Sequence, residues 1–499
     1  MQRLKASVSR MMARSADAEP LGLSESPGEV VAADLCIIGA GSGGLSLAAA
    51  AAQVGVSVVL IEKHKMGGDC LNYGCVPSKA LIASARRAHD MRTSGPFGIL
   101  AVEPMIDQRA VATHIEQVIQ AIAPNDSVER FTGLGVRVIQ ATGRFVDKRT
   151  VAAGDKLVRA GRFVIAAGSS PAIPPIPGIE TGPYFTNETI FDNQHKLKHL
   201  IIIGAGAVGL ELAQAYLRLG SQVTVVEALK ALRKDDPELA EVVLRKLRAE
   251  GVNIKEGANV ERIEYGAGVV RLHLSTAAGR EVLDGSHLMV ATGRVPNTDG
   301  LNLDAAGIRA DRLGIKVDKG LLTTNPRVFA IGDITGGLQL THRANYHAGI
   351  VFQRALLKLP VSAQDDNIPW VTFTDPELAH VGMTEAAAKA KGAINIYRWP
   401  YHENDRAQAE RATEGFVKIV TDGKGTVVGA SIVGAQAGEL SQMWGLAISQ
   451  RLKIGTMARW VSPYPTLSEI NKRAAGTYYT LKAGNPFVRK IINFLRKFG

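Results

Sequence analysis

Cysteine is scarce in this sequence, with three residues in 499. That excludes a disulfide-stapled scaffold and fits a reducing compartment, so a cytoplasmic location is expected. Acidic residues are outnumbered, 47 against 58 basic ones, leaving a net charge of +11. Such an excess raises the question of nucleic acid. However, the chain has no zinc-finger spacing, RNP-like run or dense basic tract, and no nucleic-acid partner is expected. Part of the excess lies at the ends. Arg3, Lys5, Arg10 and Arg14 stand without an acid in residues 1–16, and Lys482, Arg489, Lys490, Arg496 and Lys497 do so in residues 482–499. The charge-free run from Leu35 to Ile61 is long enough to span a bilayer. It also holds Gly39, Gly41, Gly43, Gly44 and Gly55, so it reads as a buried strand–helix–strand unit.

That unit occurs twice. "LCIIGAGSGGLSLAAAAAQVGVSVVLIE" ends at Glu62, and "LIIIGAGAVGLELAQAYLRLGSQVTVVE" ends at Glu227. Each is an apolar run, a G-x-G-x-x-G, a helix-like stretch and a second apolar run, with the terminal acid at the same offset. Gly39 and Gly204 permit the tight turn, Gly41 and Gly206 let a pyrophosphate approach the backbone, and Gly44 and Gly209 let helix and strand pack closely. The helix N-terminus offers N–H groups to the anion, and the acid accepts from a ribose. Two dinucleotides are expected. Glu227 would repel a 2′-phosphate and favour NADH, with Lys230, Arg233 and Lys234 close enough to leave NADPH open.

Two of the three cysteines lie in "GGDCLNYGCVPSKALI" (Gly67 to Ile82). Pro77 suits a first helical turn, so a helix is expected to begin near it. Cys75 would then sit at the N-terminal end, where a thiolate is stabilised. In an ideal helix, five residues rise about 7.5 Å along the axis, so their Cα atoms lie at least that far apart. That exceeds disulfide reach, so the Gly74 region must be distorted if the two cysteines bridge. Zinc would need four ligands, and only His64 lies nearby; no resident metal is expected.

C-x4-C followed by V-P-S-K, between two G-x-G-x-x-G units, resembles the pyridine nucleotide–disulfide oxidoreductases, over about residues 33–480. The resemblance implies an α/β fold with two Rossmann-like dinucleotide-binding domains, for FAD and NAD, and a C-terminal α+β dimerisation domain. The expected order is an extension (1–30), an FAD domain with the redox cysteines (31–190), an NAD(P) domain (191–290), the second part of the FAD region (291–365), a dimerisation domain (366–480) and a basic amphipathic tail (481–499). It further implies that Gly68, Gly143, Gly168 and Asp333 join Gly39, Gly41, Gly44 and Glu62 at the FAD site. Asp333 lies in "TTNPRVFAIGD", which resembles the family's second FAD motif. Gly293 and Arg294 join Gly204, Gly206, Gly209 and Glu227 at the NAD site. "VIAAGSSP" and "MVATGRVPNT" resemble the crossings between the two domains. Lys79 and Glu211 resemble the pair beside the flavin. Cys75 would face the flavin and Cys70 the substrate, in a homodimer.

Two positions depart from the pattern. Where lipoamide and glutathione enzymes have a histidine in an H-P-T segment, this chain has Tyr464 in "SPYPTLSEI", with Glu469 kept. An unperturbed tyrosine is a poor base at neutral pH. Mercuric reductases carry a tyrosine there but end in a further cysteine pair, whereas this chain ends "FLRKFG". Asp69 stands where the family usually has threonine, an awkward charge beside a pyrophosphate. The expected function is transfer of electrons from NAD(P)H through FAD and a Cys70–Cys75 disulfide to a disulfide or soft-metal acceptor, as in mercuric reductase. Dihydrolipoyl dehydrogenase, a membrane-surface NADH:quinone reductase and a non-catalytic sensor are the alternatives. The tail "NPFVRKIINFLRKFG" has the spacing of an amphipathic helix, either packed on the dimer or lying on an anionic membrane. Residues 1–30 read as a transit peptide to the mitochondrial matrix or as an extension, with a linker at 25–30.

Overall fold

The computed structural model describes residues 29–483 and 486–498. The charge-free run folds as read. Val30–Ile38 and Val58–Glu62 are parallel strands joined through the helix Ser42–Gln53. Both strands are apolar along most of their length and buried there, as strands covered on two faces must be. Arg137–Gln140 extends the sheet on one side and Lys156–Ile165 on the other. The last of these is long enough to serve two neighbours. Its first half pairs with the antiparallel hairpin formed by Gly143–Asp147 and Thr150–Ala153, and its end pairs with Val328–Ala330. A strand from far along the chain thus closes the first sheet and brings Asp333 to its edge. Glu29 and Val30, expected in a linker, already belong to the sheet. Val30 opens the first strand, and the Glu29 carbonyl accepts from Leu157 N–H. Residues 1–28, where the transit peptide was read, lie outside the described residues.

The second copy builds a four-stranded parallel sheet from His199–Ile203, Gln222–Glu227, Asn253–Glu256 and His287–Val290. The antiparallel strands Asn259–Gly266, Val269–Thr276 and Gly279–Gly285 cover one side. The two crossings meet as Ser169–Pro171 paired antiparallel with Arg294–Pro296. The C-terminal unit is a five-stranded antiparallel sheet under the helices Ala437–Ser449 and Glu469–Ala483. Trp444 is fully buried there, and its indole N–H is satisfied by Asn471 Oδ1 at 2.9 Å. Among the described residues no helix is long and apolar enough to cross a membrane.

Candidate active site

The two glycine turns have the same internal geometry. Gly41 and Gly206 precede their helices with identical backbone angles, φ −79° and ψ −177°. Each terminal acid is gripped by the turn it serves. Glu62 accepts from Ala40 N–H at 2.7 Å and His64 N–H at 2.8 Å. Glu227 accepts from Ala205 N–H and Leu229 N–H, both at 2.9 Å. Every carboxylate oxygen keeps a lone pair, so a ribose hydroxyl would meet an acceptor already held in place.

The cysteine segment lies across the first turn. A Cβ on Gly68 would come within 2.7 Å of Gly41 Cα, so the start of the short cysteine-bearing helix and the turn touch backbone to backbone. Cys70 lies in the short helix Gly68–Asn72, and Cys75 is the first residue of the helix Cys75–Thr93. The helix therefore starts two residues before Pro77. Its first backbone bond is Ser78 N–H to Gly74 O. The N–H groups of a first turn have no helical partner, so the missing N–H of Pro77 costs nothing there. Gly74 makes the break expected between the cysteines. A Cβ at this position would stand 2.8 Å from Asp69 Oδ2.

Cys75 is exposed and Cys70 half-buried, both as free thiols. The Cys75 thiol is pulled down to about 6, first by the hydrogen bond from Cys70, then by Thr341 and by the charge of Lys79, against the partial desolvation of its sulfur. Cys70 is pushed up, by the same hydrogen bond and by burial. Thr341 Oγ1 lies 3.5 Å from Cys75 Sγ and is the first residue of the helix Thr341–Val351. Two helix N-termini thus adjoin Cys75, the arrangement that stabilises a thiolate. One turn along, Lys79 Nζ donates to Glu211 Oε2 at 2.8 Å and lies 4.3 Å from the centre of the Phe373 ring. Glu211 Oε1 accepts from Phe373 N–H at 2.9 Å. The pair borders a cleft of about 280 Å³ between the redox helix and the helix Ala207–Arg218.

Residues 33–348 match the pyridine nucleotide-disulphide oxidoreductase family, and residues 368–475 match its dimerisation domain. The chain belongs to that family. It is therefore an FAD-dependent oxidoreductase that uses a pyridine nucleotide. It is 34% identical over 449 residues to a mercuric reductase of Lysinibacillus sphaericus, spanning 89% of this chain and 82% of that one. A dihydrolipoyl dehydrogenase of Thermus scotoductus is 33% identical over 449 residues, or 87% and 95% of the two chains. Among solved structures, the HOCl-induced flavoprotein disulfide reductase RclA of Escherichia coli, as its Cu(II) complex, superposes with a TM-score of 0.80 at 29% identity. It covers 88% of this chain and 99% of that one. LpdA of Mycobacterium tuberculosis gives 0.82 at 27% identity, over 89% and 99%.

The remaining family positions have the following surroundings. Asp333 is half-buried; desolvation raises its carboxyl, and it accepts from Ser169 Oγ at 2.6 Å. Gly168 and Gly293 flank the paired crossing strands, where their carbonyls accept from Asn297 and Ala172 N–H. A Cβ on Gly143 would press on Ile61 and Ile38 at 3.2 and 3.3 Å, so core packing accounts for that glycine. Arg294, expected at the nicotinamide site, instead reaches back to the first domain. Its guanidinium meets Asp69 at 3.0 Å, the Ser169 carbonyl at 2.7 Å and Ser169 Oγ at 2.7 Å. This explains Asp69. Its charge is offset by Arg294, and Asn187 Nδ2 donates to it at 3.2 Å. Tyr464 hydroxyl donates to Asp405 Oδ2 at 2.8 Å, and that contact raises its pKa further. Glu469 pairs with Arg473 at 2.9 Å.

The residues fit an FAD. The first turn leaves room for a pyrophosphate only because Gly41 and Gly68 lack side chains, and an oriented acid and a half-buried aspartate lie at hand. Thr341, Phe373 and Asn187 were not anticipated, since each lies more than a hundred positions from its partner.

Proposed function

We propose that this chain is an NADH-dependent reductase of a soft metal ion or an activated small disulfide, working through Cys70 and Cys75 as a homodimer. The observation that carries the reading is the cysteine pair at the first turn, with Cys75 favoured as a thiolate by the hydrogen bonds from Cys70 and Thr341 and by the charge of Lys79. Bound FAD supplies the two-electron relay between nicotinamide and disulfide. Overall, NADH, one proton and the Cys70–Cys75 disulfide give NAD and two thiols. Gly39, Gly41, Gly44, Glu62, Gly68 and Asp333 would hold the flavin nucleotide. Gly204, Gly206, Gly209 and Glu227 would hold the NADH, and the Glu227 charge disfavours a 2′-phosphate. Lys79, fixed by Glu211, places a positive charge beside Cys75.

With a disulfide acceptor, the Cys70 thiol gives up its proton as it attacks one sulfur and expels the other as a thiolate. Cys75 then attacks the Cys70 sulfur, releases the second thiolate and restores the pair. Such exchange needs a proton donor for the leaving thiolate. Tyr464, engaged with Asp405 and shifted away from neutrality, is poorly suited to shuttle that proton. A metal ion gripped by two thiolates has no such need. The mercuric reductase relatives and the Cu(II) complex of RclA point to the same acceptor class.

A panel of NADH and NADPH against Hg(II), Cu(II), lipoamide, glutathione disulfide and a quinone tests this. Reduction of a soft metal ion at least about tenfold faster than of lipoamide is expected, with Tyr464→His raising lipoamide turnover. Efficient lipoamide reduction by the wild type would overturn the reading in favour of a dihydrolipoyl dehydrogenase.

A further inference from the structure

After Glu469 the chain contains seven basic residues and no acidic one. The last helix, Pro486–Leu495, buries none of its residues. Proline at its first position suits a helix start, so this is a separate element. At about 100° per residue, Phe487, Val488, Ile491, Ile492, Phe494, Leu495 and, continuing past its end, Phe498 share an arc of roughly 160°. Arg489, Lys490, Asn493, Arg496 and Lys497 fill the opposite arc, and neither set intrudes on the other. Ile491, Ile492, Phe494, Leu495 and Phe498 are all exposed, and the Phe494 and Phe498 rings meet edge to face at 5.0 Å. The face is thus a contiguous apolar stripe with aromatic residues toward its end.

Such a stripe needs a cover. A second copy of this chain is a poor one, because it would bring the same seven basic residues and a net charge of +11 against its like. An anionic bilayer satisfies both faces. Apolar side chains enter the acyl boundary while the Lys and Arg heads stay at the phosphates. At ten residues the helix is about 15 Å long, half of a hydrocarbon core, so it lies in the interface and does not span it.

We propose that the helix Pro486–Leu495, with Arg496, Lys497 and Phe498, is a peripheral docking element for an anionic lipid surface. Each basic residue near such a surface contributes about a fivefold gain in partitioning, and salt screens it. If the chain is a homodimer, as in the functional reading above, each particle carries two such elements. Docking itself does not depend on that reading.

Vesicle flotation of the full-length holoenzyme tests the proposal, with turnover measured separately in soluble assay. Wild type should float with phosphatidylcholine vesicles containing about 30% phosphatidylglycerol, not with phosphatidylcholine alone, and should be released by about 0.5 M salt. Phe494→Glu should weaken flotation at least about tenfold, and Lys490→Glu with Lys497→Glu by more, all with unchanged turnover. Absence of flotation at low salt, or equal flotation of wild type and Phe494→Glu, would overturn it. So would growth beyond a dimer in sedimentation velocity that Phe494→Glu abolishes, without vesicle binding, since a second copy would then be the cover.

Discussion

The first glycine turn is closed and the second is open, although their backbones nearly coincide. Gly39 and Gly204 have φ of +108° and +109°, and a Cβ on Gly44 or Gly209 would meet the preceding turn's carbonyl at 1.9 or 2.0 Å. Around Gly41, however, the short helix Gly68–Asn72 crosses, with Gly68 Cα at 4.0 Å from where a Gly41 Cβ would stand, while a Cβ on Gly206 would meet nothing within 4 Å. Glu62 is buried at 9% exposure, whereas Glu227 is only partly so. The two copies of one duplicated unit thus differ in what packs on them, which on the functional reading above gives their ligands different lifetimes. The walled turn suits a resident group, and the open one suits a nucleotide that must come and go.

Gly41→Val and Gly206→Val would break this comparison most directly. Neither position has a positive φ, and neither Cβ clashes with the protein. Gly41→Val should purify with less than about a tenth of the wild-type flavin, read from its visible absorbance. Gly206→Val should keep its flavin and raise the KM for NADH about tenfold or more. Equal flavin loss in both would show that packing around the turn is irrelevant.

A smaller effect is expected from the acids. Glu227→Gln removes the negative charge that faces a 2′-phosphate, so the NADH-over-NADPH ratio of kcat/KM should fall about tenfold. Glu62→Gln should leave that ratio unchanged. A shift in nucleotide preference from Glu62→Gln would mean that the two sites are assigned the wrong way round.

The smallest effect concerns what lies between the sites. Alkylation of the reduced protein should follow an apparent pKa of about 6, belonging to the cysteine pair. Lys79→Met should raise it by up to about one unit, because the opposite charge is lost. The thiolate is favoured in the folded state. Its contribution to stability is therefore complete above the ordinary thiol range and lost as pH falls through about 6. Denaturation midpoints of the reduced protein should decline over that window, and the Cys75→Ser midpoint should decline less.

Both turns were readable because glycine spacing and a terminal acid are local constraints of the backbone. The start of the helix Cys75–Thr93 was readable to within two residues. A proline is tolerated at any of the first three positions, so Pro77 marked a first turn without saying which residue opened it. Asp69 looked out of place because its partner Arg294 is supplied by the second crossing, 225 positions away. Thr341 reaches Cys75 across 266 positions and Asp405 reaches Tyr464 across 59, with no pattern in the sequence to announce either. The helical period of Pro486–Leu495 was legible, since such a period needs no partner to be seen.

The central claim is that electrons from NADH come to rest on Cys70 and Cys75, and thiol counting tests it most directly. Under denaturing conditions the air-oxidised protein should show one free thiol per chain, Cys36, which is buried and is not one of the redox pair. After anaerobic addition of NADH it should show all three cysteines of the chain as thiols. An active preparation that shows three thiols both before and after NADH would contradict the account.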